Sequence, residues 1–287
     1  MTLSHERAVL AWGEAHLRDL PWRRTRDPWA ILVSEVMAQQ TGVDRVVPYY
    51  QRFLDRFPTP AACAAASLGE VLRLWAGLGY NRRAVNLHRC AGAVVDDHGG
   101  ALPPDLAALR ALPGVGPYTA RAVLAFAFER DVGVVDTNVG RVLARWAARP
   151  LGAAEAQAQA DALVPRGRAW AWNQAVVELG GTVCRRRRPR CASCPVRRSC
   201  AWAAAGLAAP DPADGSAGVG TGQPRFEGSD RQGRGRLVEA LCSGPVALAD
   251  LATVMGWPDD PARADRVAVG LLDHGVAVRE GAVLRLP

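Results

Sequence analysis

A chain of 287 residues, 49% hydrophobic and 22% charged, is long enough for a sizeable core and has a globular rather than a disordered composition. No apolar run is long enough to cross a bilayer and the first residues lack a signal-peptide pattern, so we expect a cytoplasmic protein with no membrane partner. The formal net charge of +7 favours a polyanionic partner. All 35 basic residues are arginine, which excludes any mechanism that needs a lysine amine.

Apolar residues recur at helical spacing through most of the first two hundred residues, most clearly in 31–37, 71–75 and 120–127. These segments stop at Pro or Gly signals. The pattern predicts an all-α body over residues 1–206, with few strands.

A change of composition follows that body. Residues 207–229 are rich in Pro, Gly, Ala and Asp, which is typical of a linker. Beyond it, 230–287 resembles a small winged-helix-like α+β unit. Its predicted elements are helices over 231–242, 246–255 and 261–274 and a hairpin of two short strands around Glu280.

Glu35 lies in AILVSEVMAQQT, flanked by Val33, Val36 and Met37 on a mostly apolar helix. A helical glutamate is ordinarily a solvated surface residue. Burial here would instead raise its pKa and keep a proton available near neutral pH, as a general acid requires.

The stretch LRALPGVGPYTARAVLAFAF predicts two helices joined by a tight turn over residues 113–116, with Pro117 near the start of the second helix. Glycines let a backbone approach closely, and the free N–H groups of a helix start suit a phosphate. An ordinary turn would look the same in isolation. With helices on both sides, the pattern also fits a helix-hairpin-helix that grips a DNA backbone without reading bases.

Asp136, in VGVVDTNVGRVLARW, follows small and apolar residues and precedes an amphipathic helix. This position predicts a helix N-cap. An N-capped carboxylate is also held rigid and kept ionised by helix N–H groups, so the cap does not exclude a functional role.

Four of the seven cysteines form the pattern C-x6-C-x2-C-x5-C, namely Cys184, Cys191, Cys194 and Cys200. Four thiolates close in sequence suit a [4Fe–4S] cluster or a tetrahedral zinc ion. A single C-x2-C pair favours iron–sulfur over zinc, and the spacing alone leaves both metals, or none, open. The loop also carries arginines that could meet phosphates: Arg185, Arg186, Arg187, Arg188 and Arg190.

Together these motifs resemble the helix-hairpin-helix (HhH-GPD) DNA glycosylases that carry an iron–sulfur cluster, and within them the MutY-type adenine glycosylases. The resemblance covers roughly residues 20–202 and rests on ordered matches: LPWR, VSEVMAQQT, VVPYYQRF, RFPT, LWAGLGYNRRAVNLH, LPGVGPYTA, VVDTNVGRVLAR, NQAVVELGGTVC and the four-cysteine loop.

The fold implied by the resemblance has two lobes. A six-helix lobe would span about residues 25–133. The N-terminal helix, within 1–24, would join 134–206 in a lobe that holds a [4Fe–4S] cluster. The implied partner is double-stranded DNA with a mispaired or oxidised base, bound by a monomer near the nucleoid.

The resemblance also implies roles for single residues. Glu35 would protonate the base, Asp136 would stabilise the developing sugar cation, Tyr118 would assist at the sugar and Asn138 would orient Asp136. Further residues would contact DNA: the duplex wedges Gln40 and Tyr80 with Thr41, Asn81, Arg82 and Arg83, the hairpin residues Gly114, Val115 and Gly116, and the arginines of the cysteine loop.

The implied reaction is hydrolysis of adenine from a mispair with 8-oxoguanine or guanine. Tyr118 stands where strand-cutting relatives carry a lysine, so we expect a monofunctional enzyme. Three features depart from the family pattern. Ala38 replaces a leucine, Asn81 replaces a second tyrosine, and residues 230–287 do not resemble the MutT-like C-terminal domain.

Two other functions remain open at this stage. A thymine or uracil mismatch glycosylase would share the hairpin tyrosine and the aspartate, although Glu35 favours a purine. A non-catalytic DNA-binding or redox-sensing protein on the same scaffold is the second alternative.

Overall fold

The computed structural model describes residues 3–216 and 225–287, and most of these residues are helical, as the apolar spacing predicts. The α-helices are α1 Leu3–His16, α2 Pro28–Ala38, α3 Val43–Arg56, α4 Pro60–Ala64, α5 Leu68–Trp75, α6 Arg82–His98, α7 Leu106–Ala111, α8 Pro117–Phe126, α9 Thr137–Ala147, α10 Ala153–Leu163, α11 Ala169–Thr182, α12 Ala201–Ala204, α13 Asp230–Ser243, α14 Leu251–Met255 and α15 Pro261–Asp273. The strands are β1 Val246–Ala247, β2 Val278–Glu280 and β3 Val283–Arg285. Within the described ranges, no helix is both long and apolar enough to span a membrane.

The described chain divides into two compact units. The first contains the residues up to Pro28, residues 104–106 and the chain from Gly116 to Ser216. The second contains residues 29–103, 107–115 and 225–287.

In the first unit, α1 packs against α11 around an apolar core that includes Val9, Trp172 and Leu179. Gly13 permits the close approach of these helices, since a Cβ atom there would lie 2.6 Å from the Cβ of Ala175. Small residues at a crossing therefore set how α11 lies against α1, and α11 in turn supports the segment that carries Asp136.

The LPWR segment is fixed to the same helix by charge. Glu178 on α11 is fully buried and accepts hydrogen bonds from Arg18 Nε at 2.6 Å and Arg23 Nη2 at 2.7 Å. Arg23 also donates to Gln174 Oε1 at 2.8 Å. A buried carboxylate requires such partners, because an unpaired charge in the interior is strongly unfavourable.

The second unit has a core of large side chains from α2, α3 and α5, including Trp29, Phe53, Phe57 and Trp75. The rings of Phe53 and Phe57 meet edge to face with centroids 5.1 Å apart. Helix α2 is buried over most of its length, so its position is set by packing rather than by an amphipathic face.

Residues 225–287 form three helices and a three-stranded antiparallel sheet in the order β1-β3-β2. The hairpin predicted around Glu280 is confirmed, with Glu280 pairing with Val283. The helix predicted over 246–255 is wrong at its start. Val246 pairs with Leu284 in the sheet, and the helix begins only at Leu251.

This winged-helix-like module packs against α5 within the second unit. Gly69 N donates to the carbonyl of Pro287 at 3.1 Å, and Arg73 Nε donates to the carbonyl of Cys242 at 3.4 Å. A Cβ atom at Gly69 would lie 2.6 Å from the Pro287 carbonyl oxygen, so a glycine is needed at this contact.

The segment for which the sequence predicts a linker is described over 207–216 and 225–229, and residues 217–224 lie outside the described residues. The first part contacts the first unit. Asp211 accepts from Arg145 Nε at 3.0 Å, and Ser216 Oγ accepts from Leu151 N at 3.2 Å. Residues 207–216 therefore pack on the fold.

Candidate functional site

Asp136 caps the N-terminus of α9, as the sequence predicts. Its Oδ1 accepts from Asn138 N at 2.9 Å and Val139 N at 2.7 Å. The extended segment before it is held by Asn173 on α11, whose Oδ1 accepts from Val134 N at 2.9 Å. The carboxylate is thus fixed from both sides by backbone that cannot shift without breaking hydrogen bonds.

The second carboxylate oxygen of Asp136 accepts from Asn138 Nδ2 at 2.8 Å. Burial raises the pKa of Asp136, and the bonds from Val139 and Asn138 lower it; burial is the larger effect. The cap is therefore confirmed. The helix N–H groups lower the pKa of this carboxyl, as expected, and desolvation opposes them.

Arg141 continues this network toward the cysteines. Its Nη2 donates to Asn138 Oδ1 at 2.8 Å and to the Gly180 carbonyl at 2.6 Å, and its Nε donates to the Cys184 carbonyl at 2.7 Å. Asn138 thus lies between Asp136 and an arginine that is 6% exposed. Arg141 lies in the matched stretch VVDTNVGRVLAR, but nothing in its local pattern predicts this role.

Close packing at Gly180 also fixes Asn138. A Cβ atom at Gly180 would lie 2.7 Å from the Asn138 Cβ and 2.9 Å from its carbonyl oxygen. We expect Gly180→Ala to displace Asn138 and to lower the first-order rate of the reaction that the resemblance implies by about 10²-fold, the usual cost of a misplacement near 1 Å. Single-turnover kinetics measure this.

The neighbouring glycine provides the control. A Cβ atom at Gly181 would meet nothing within 4 Å. Gly181→Ala should keep the wild-type rate and raise helix stability by up to about 1 kcal/mol. Equal rates for the two variants would show that packing at Gly180 does not position Asn138.

The predicted hairpin is present in the backbone. Gly114 has φ +76°, which favours glycine, and Val115 N donates to the Leu112 carbonyl at 3.1 Å. Gly116 is the N-cap of α8, and Pro117 is its first residue, as predicted. Tyr118 lies half-buried in the first turn of α8.

The side chain of Asn86, on α6, packs against the hairpin at Gly114. A Cβ atom at Gly114 would lie 2.6 Å from the Asn86 Cβ, so the hairpin backbone lies directly on this side chain. Both residues belong to the second unit. Asn86 lies in the matched stretch LWAGLGYNRRAVNLH, and no other feature of the sequence points to this contact.

Glu35 is half-buried on α2, between the buried Ser34 and Val36. The exposure of this glutamate lies between the two possibilities that the sequence leaves open, a solvated surface residue and a buried one. Its carboxyl group sits on an otherwise buried stretch of helix.

The two residues predicted to wedge into the duplex lie on loops of the second unit. Gln40 is exposed, and Tyr80 is 39% exposed. Both have positive φ, +56° for Gln40 and +51° for Tyr80, a conformation that residues other than glycine rarely adopt. Thr41 follows Gln40 in the same loop and is half-buried.

The neighbouring residues predicted to contact DNA differ in exposure. Arg82 is exposed, whereas Asn81 and Arg83 are 7% and 8% exposed. The prediction of a direct DNA contact is not supported for Arg83, because its guanidinium points into the fold and donates to backbone carbonyls there.

The four cysteines of the predicted metal site line one cavity together with Arg145. Arg145 is 1% exposed and donates to Cys184 Sγ at 3.4 Å and to the Arg185 carbonyl at 2.8 Å. The pKa of Cys194 is raised to about 11, mainly by burial and in part by the charges of the other three cysteines. The four cysteine side chains therefore face one shared space.

Backbone hydrogen bonds also reach these sulfur atoms. They lower the pKa of Cys194 through Val196 and that of Cys200 through Trp202 and Ala203, although burial is the larger effect at both. Hydrogen bonds to thiolate sulfur are a general feature of iron–sulfur sites. As placed across the described ranges, no group of three or more His, Cys, Asp or Glu side chains is arranged to hold a metal ion.

The arginines between the first two cysteines are mostly at the surface. Arg186, Arg187, Arg188 and Arg190 are exposed, and Arg185 is half-buried. The predicted basic loop is therefore open to a large anionic partner.

Known proteins resemble this chain in both sequence and structure. Residues 33–165 match the model of the HhH-GPD superfamily base excision DNA repair proteins. The chain is 44% identical over 278 residues to the adenine DNA glycosylase of Mycolicibacterium smegmatis, covering 93% of this chain and 90% of that protein. It is 43% identical over 210 residues to the human adenine DNA glycosylase, covering 67% of this chain and 38% of that one.

Among solved structures, a thermostable thymine-DNA glycosylase superposes with a TM-score of 0.65 at 28% identity, covering 70% of this chain and 95% of that chain.

Proposed function

Since this chain belongs to the adenine DNA glycosylases of the HhH-GPD superfamily of base excision DNA repair proteins, we propose that it hydrolyses the N-glycosidic bond of adenine mispaired with 8-oxoguanine or guanine. The observation that carries this proposal is the Asp136 carboxylate, which α9 and Asn138 hold in one orientation. A rigid, desolvated carboxylate is suited to stabilising positive charge on a sugar.

The proposed reaction begins with extrusion of the adenosine from the stack, since its C1′ atom is inaccessible inside a duplex. Glu35 donates a proton to the purine ring, so that the electron pair of the breaking C1′–N9 bond leaves with a neutral base. Asp136 stabilises the resulting oxocarbenium character, electrostatically or through a transient bond to C1′. Water then adds to C1′, which breaks any bond from Asp136 to that atom, and the proton that the water loses returns to the Glu35 carboxylate, leaving an abasic site.

Tyr118 and the absence of lysine support a monofunctional enzyme. A strand-cutting glycosylase uses an amine to form a Schiff base with C1′, and this sequence contains no lysine. The Tyr118 hydroxyl, in the first turn of α8, would assist at the sugar instead.

The proposed cofactor is a [4Fe–4S] cluster held by Cys184, Cys191, Cys194 and Cys200. The shared cavity and the backbone hydrogen bonds to sulfur support this assignment. When bound, the cluster would supply a covalent cross-link that orders the basic loop. Arg145 would offset part of its negative charge through the Cys184 sulfur.

The proposed partner is double-stranded DNA, bound by one copy of the chain in the cytoplasm at the nucleoid. The hairpin N–H groups of Gly114, Val115 and Gly116 would hold one phosphate, and the exposed arginines of the cysteine loop would meet others. We propose that residues 230–287, whose contacts include α5 and α6, brace the second unit.

A panel of duplexes tests the proposal. We expect the purified chain to release adenine from A:8-oxoguanine and A:G pairs and to leave the strand intact until alkali is added. Release of thymine or uracil from T:G or U:G pairs, without adenine release, would favour the alternative that the solved thymine-DNA glycosylase supports. Nicking at the rate of base loss would contradict monofunctionality.

A further inference from the structure

The guanidinium of Arg83 donates six hydrogen bonds to other residues of the fold. Its guanidinium is buried, and each of its nitrogen atoms donates within the second unit. The acceptors are the carbonyls of Val36 at 2.9 Å, Met37 at 2.8 Å, Gln39 at 2.6 Å, Gly79 at 2.9 Å and Tyr80 at 3.4 Å, and Thr41 Oγ1 at 3.2 Å.

These acceptors belong to two separate segments. Val36, Met37 and Gln39 lie at the C-terminal end of α2, where helix carbonyls have no partner within the helix and carry partial negative charge. Gly79 and Tyr80 lie in the loop before α6. Arg83 therefore joins the end of the helix that carries Glu35 to the loop that carries Tyr80.

Both joined segments contain strained backbone. Gln40 follows the α2 end with φ +56°, and Tyr80 has φ +51°. Such conformations persist in residues other than glycine only when the surroundings hold them. The contacts of Arg83 immediately flank both positions, at Gln39 and Thr41 on one side and at Gly79 and Tyr80 on the other.

Two aromatic rings also lie beside the Arg83 guanidinium. Its Cζ lies 5.3 Å from the ring centroids of both Trp75 and Tyr80. Trp75 is fully buried and donates from Nε1 to the Gly79 carbonyl at 3.1 Å, so the same loop is held a second time. Burial lowers the pKa of Arg83 to about 10, which still leaves it charged at neutral pH.

We propose that Arg83 is a positioning residue for mispair recognition: it fixes Gln40 and Tyr80 in the backbone conformation with which they enter the duplex, and it makes no contact with DNA itself. This inference rests on the proposed function for the wedge roles of Gln40 and Tyr80. The arrangement requires a planar fork of donors, so a lysine, with a single ammonium, cannot replace it.

The test compares Arg83→Lys and Arg83→Met with Arg82→Met, a change at the adjacent exposed arginine. We expect both Arg83 variants to lose about 10²-fold in base release at saturating DNA and to lose their preference for A:8-oxoguanine over matched duplex, with matched-duplex affinity unchanged. Arg82→Met should instead weaken binding to both duplexes alike and reduce the salt slope by about one.

Amide hydrogen exchange gives a readout independent of activity. Arg83→Lys should accelerate exchange at residues 39–41 and 79–81 without changing exchange in the core of α3 or α5. If Arg83→Met does not fold, Arg83→Lys decides the matter, because it keeps the charge and the aliphatic stem.

Three results would overturn the inference: wild-type discrimination in Arg83→Lys, a salt-dependent loss like that of Arg82→Met, or fast exchange of both loops in the wild-type protein. Failure of the proposed function is separately visible, because the wild-type chain would then release no adenine from A:8-oxoguanine.

Discussion

Asp136→Asn should lower the first-order rate of adenine release by about 10²–10³-fold or more, while duplex affinity stays close to wild type. The expected loss is that of a fixed electrostatic group at the reacting sugar. Asparagine keeps an acceptor for the N-cap bonds to α9 but replaces the acceptor of Asn138 Nδ2, so the folding of the variant is checked by its urea unfolding curve. Single-turnover release from an A:8-oxoguanine duplex measures the rate, and equilibrium titration of the same duplex measures the affinity.

Glu35→Gln should have an effect of similar size, about 10²–10⁴-fold, because it removes the proposed general acid but keeps a side chain of the same shape. Asp97→Asn is the control, since it removes an exposed carboxylate from α6 that has no assigned role. If neither Asp136→Asn nor Glu35→Gln slows release more than Asp97→Asn, the two catalytic assignments are wrong.

The free energy of unfolding of Asp136→Asn tests a second property of this site, the effect of the buried carboxylate on stability. Because burial raises the pKa of Asp136, its contribution to stability is full below the unfolded-state pKa and is lost as pH rises through the folded-state pKa. Above the folded-state pKa, burial of the ionised carboxylate therefore disfavours folding. We expect Asp136→Asn to unfold at the same or a higher urea concentration than wild type at pH 7. A clear loss of stability would mean that the charge itself holds α9.

Cys194→Ser should remove most of the iron, from about four atoms per chain, and with it the order of the basic loop. Cys194 is chosen because its pKa responds to all three other cysteines, which places it among them. Iron content, visible absorbance and proteolysis of the loop measure the outcome. Bound zinc in the wild-type chain, or no metal, would contradict the cluster assignment.

Cys242→Ser is the matched control, because Cys242 is a half-buried thiol in the winged-helix-like module. It should keep full iron content and wild-type DNA affinity. A parallel loss of iron in both variants would indicate general misfolding rather than removal of a ligand.

Local signals in the sequence located much of the site. The N-cap at Asp136 and the start of α8 at Pro117 depend on residues within one helical turn, and both are confirmed. Strand β1 was missed because its partner, β3, lies far along the chain. Pairing between distant segments leaves little trace in a short window of sequence.

The burial of individual arginine side chains could not be predicted from the sequence. Arg82 and Arg83 are adjacent and chemically identical, yet one is exposed and the other is buried. Charge in a sequence does not reveal which side chains point inward, and Arg141 and Arg145 were passed over for the same reason. Their acceptors include backbone carbonyls supplied by other elements, which become visible only once the chain is folded.

One reaction on an A:8-oxoguanine duplex, in which free base and strand length are measured together, decides whether the chain is a monofunctional adenine glycosylase. We expect free adenine in a 1:1 ratio to alkali-labile strand, with no cut strand before alkali. A duplex that remains unchanged, or strand cuts that match adenine release without alkali, would contradict it.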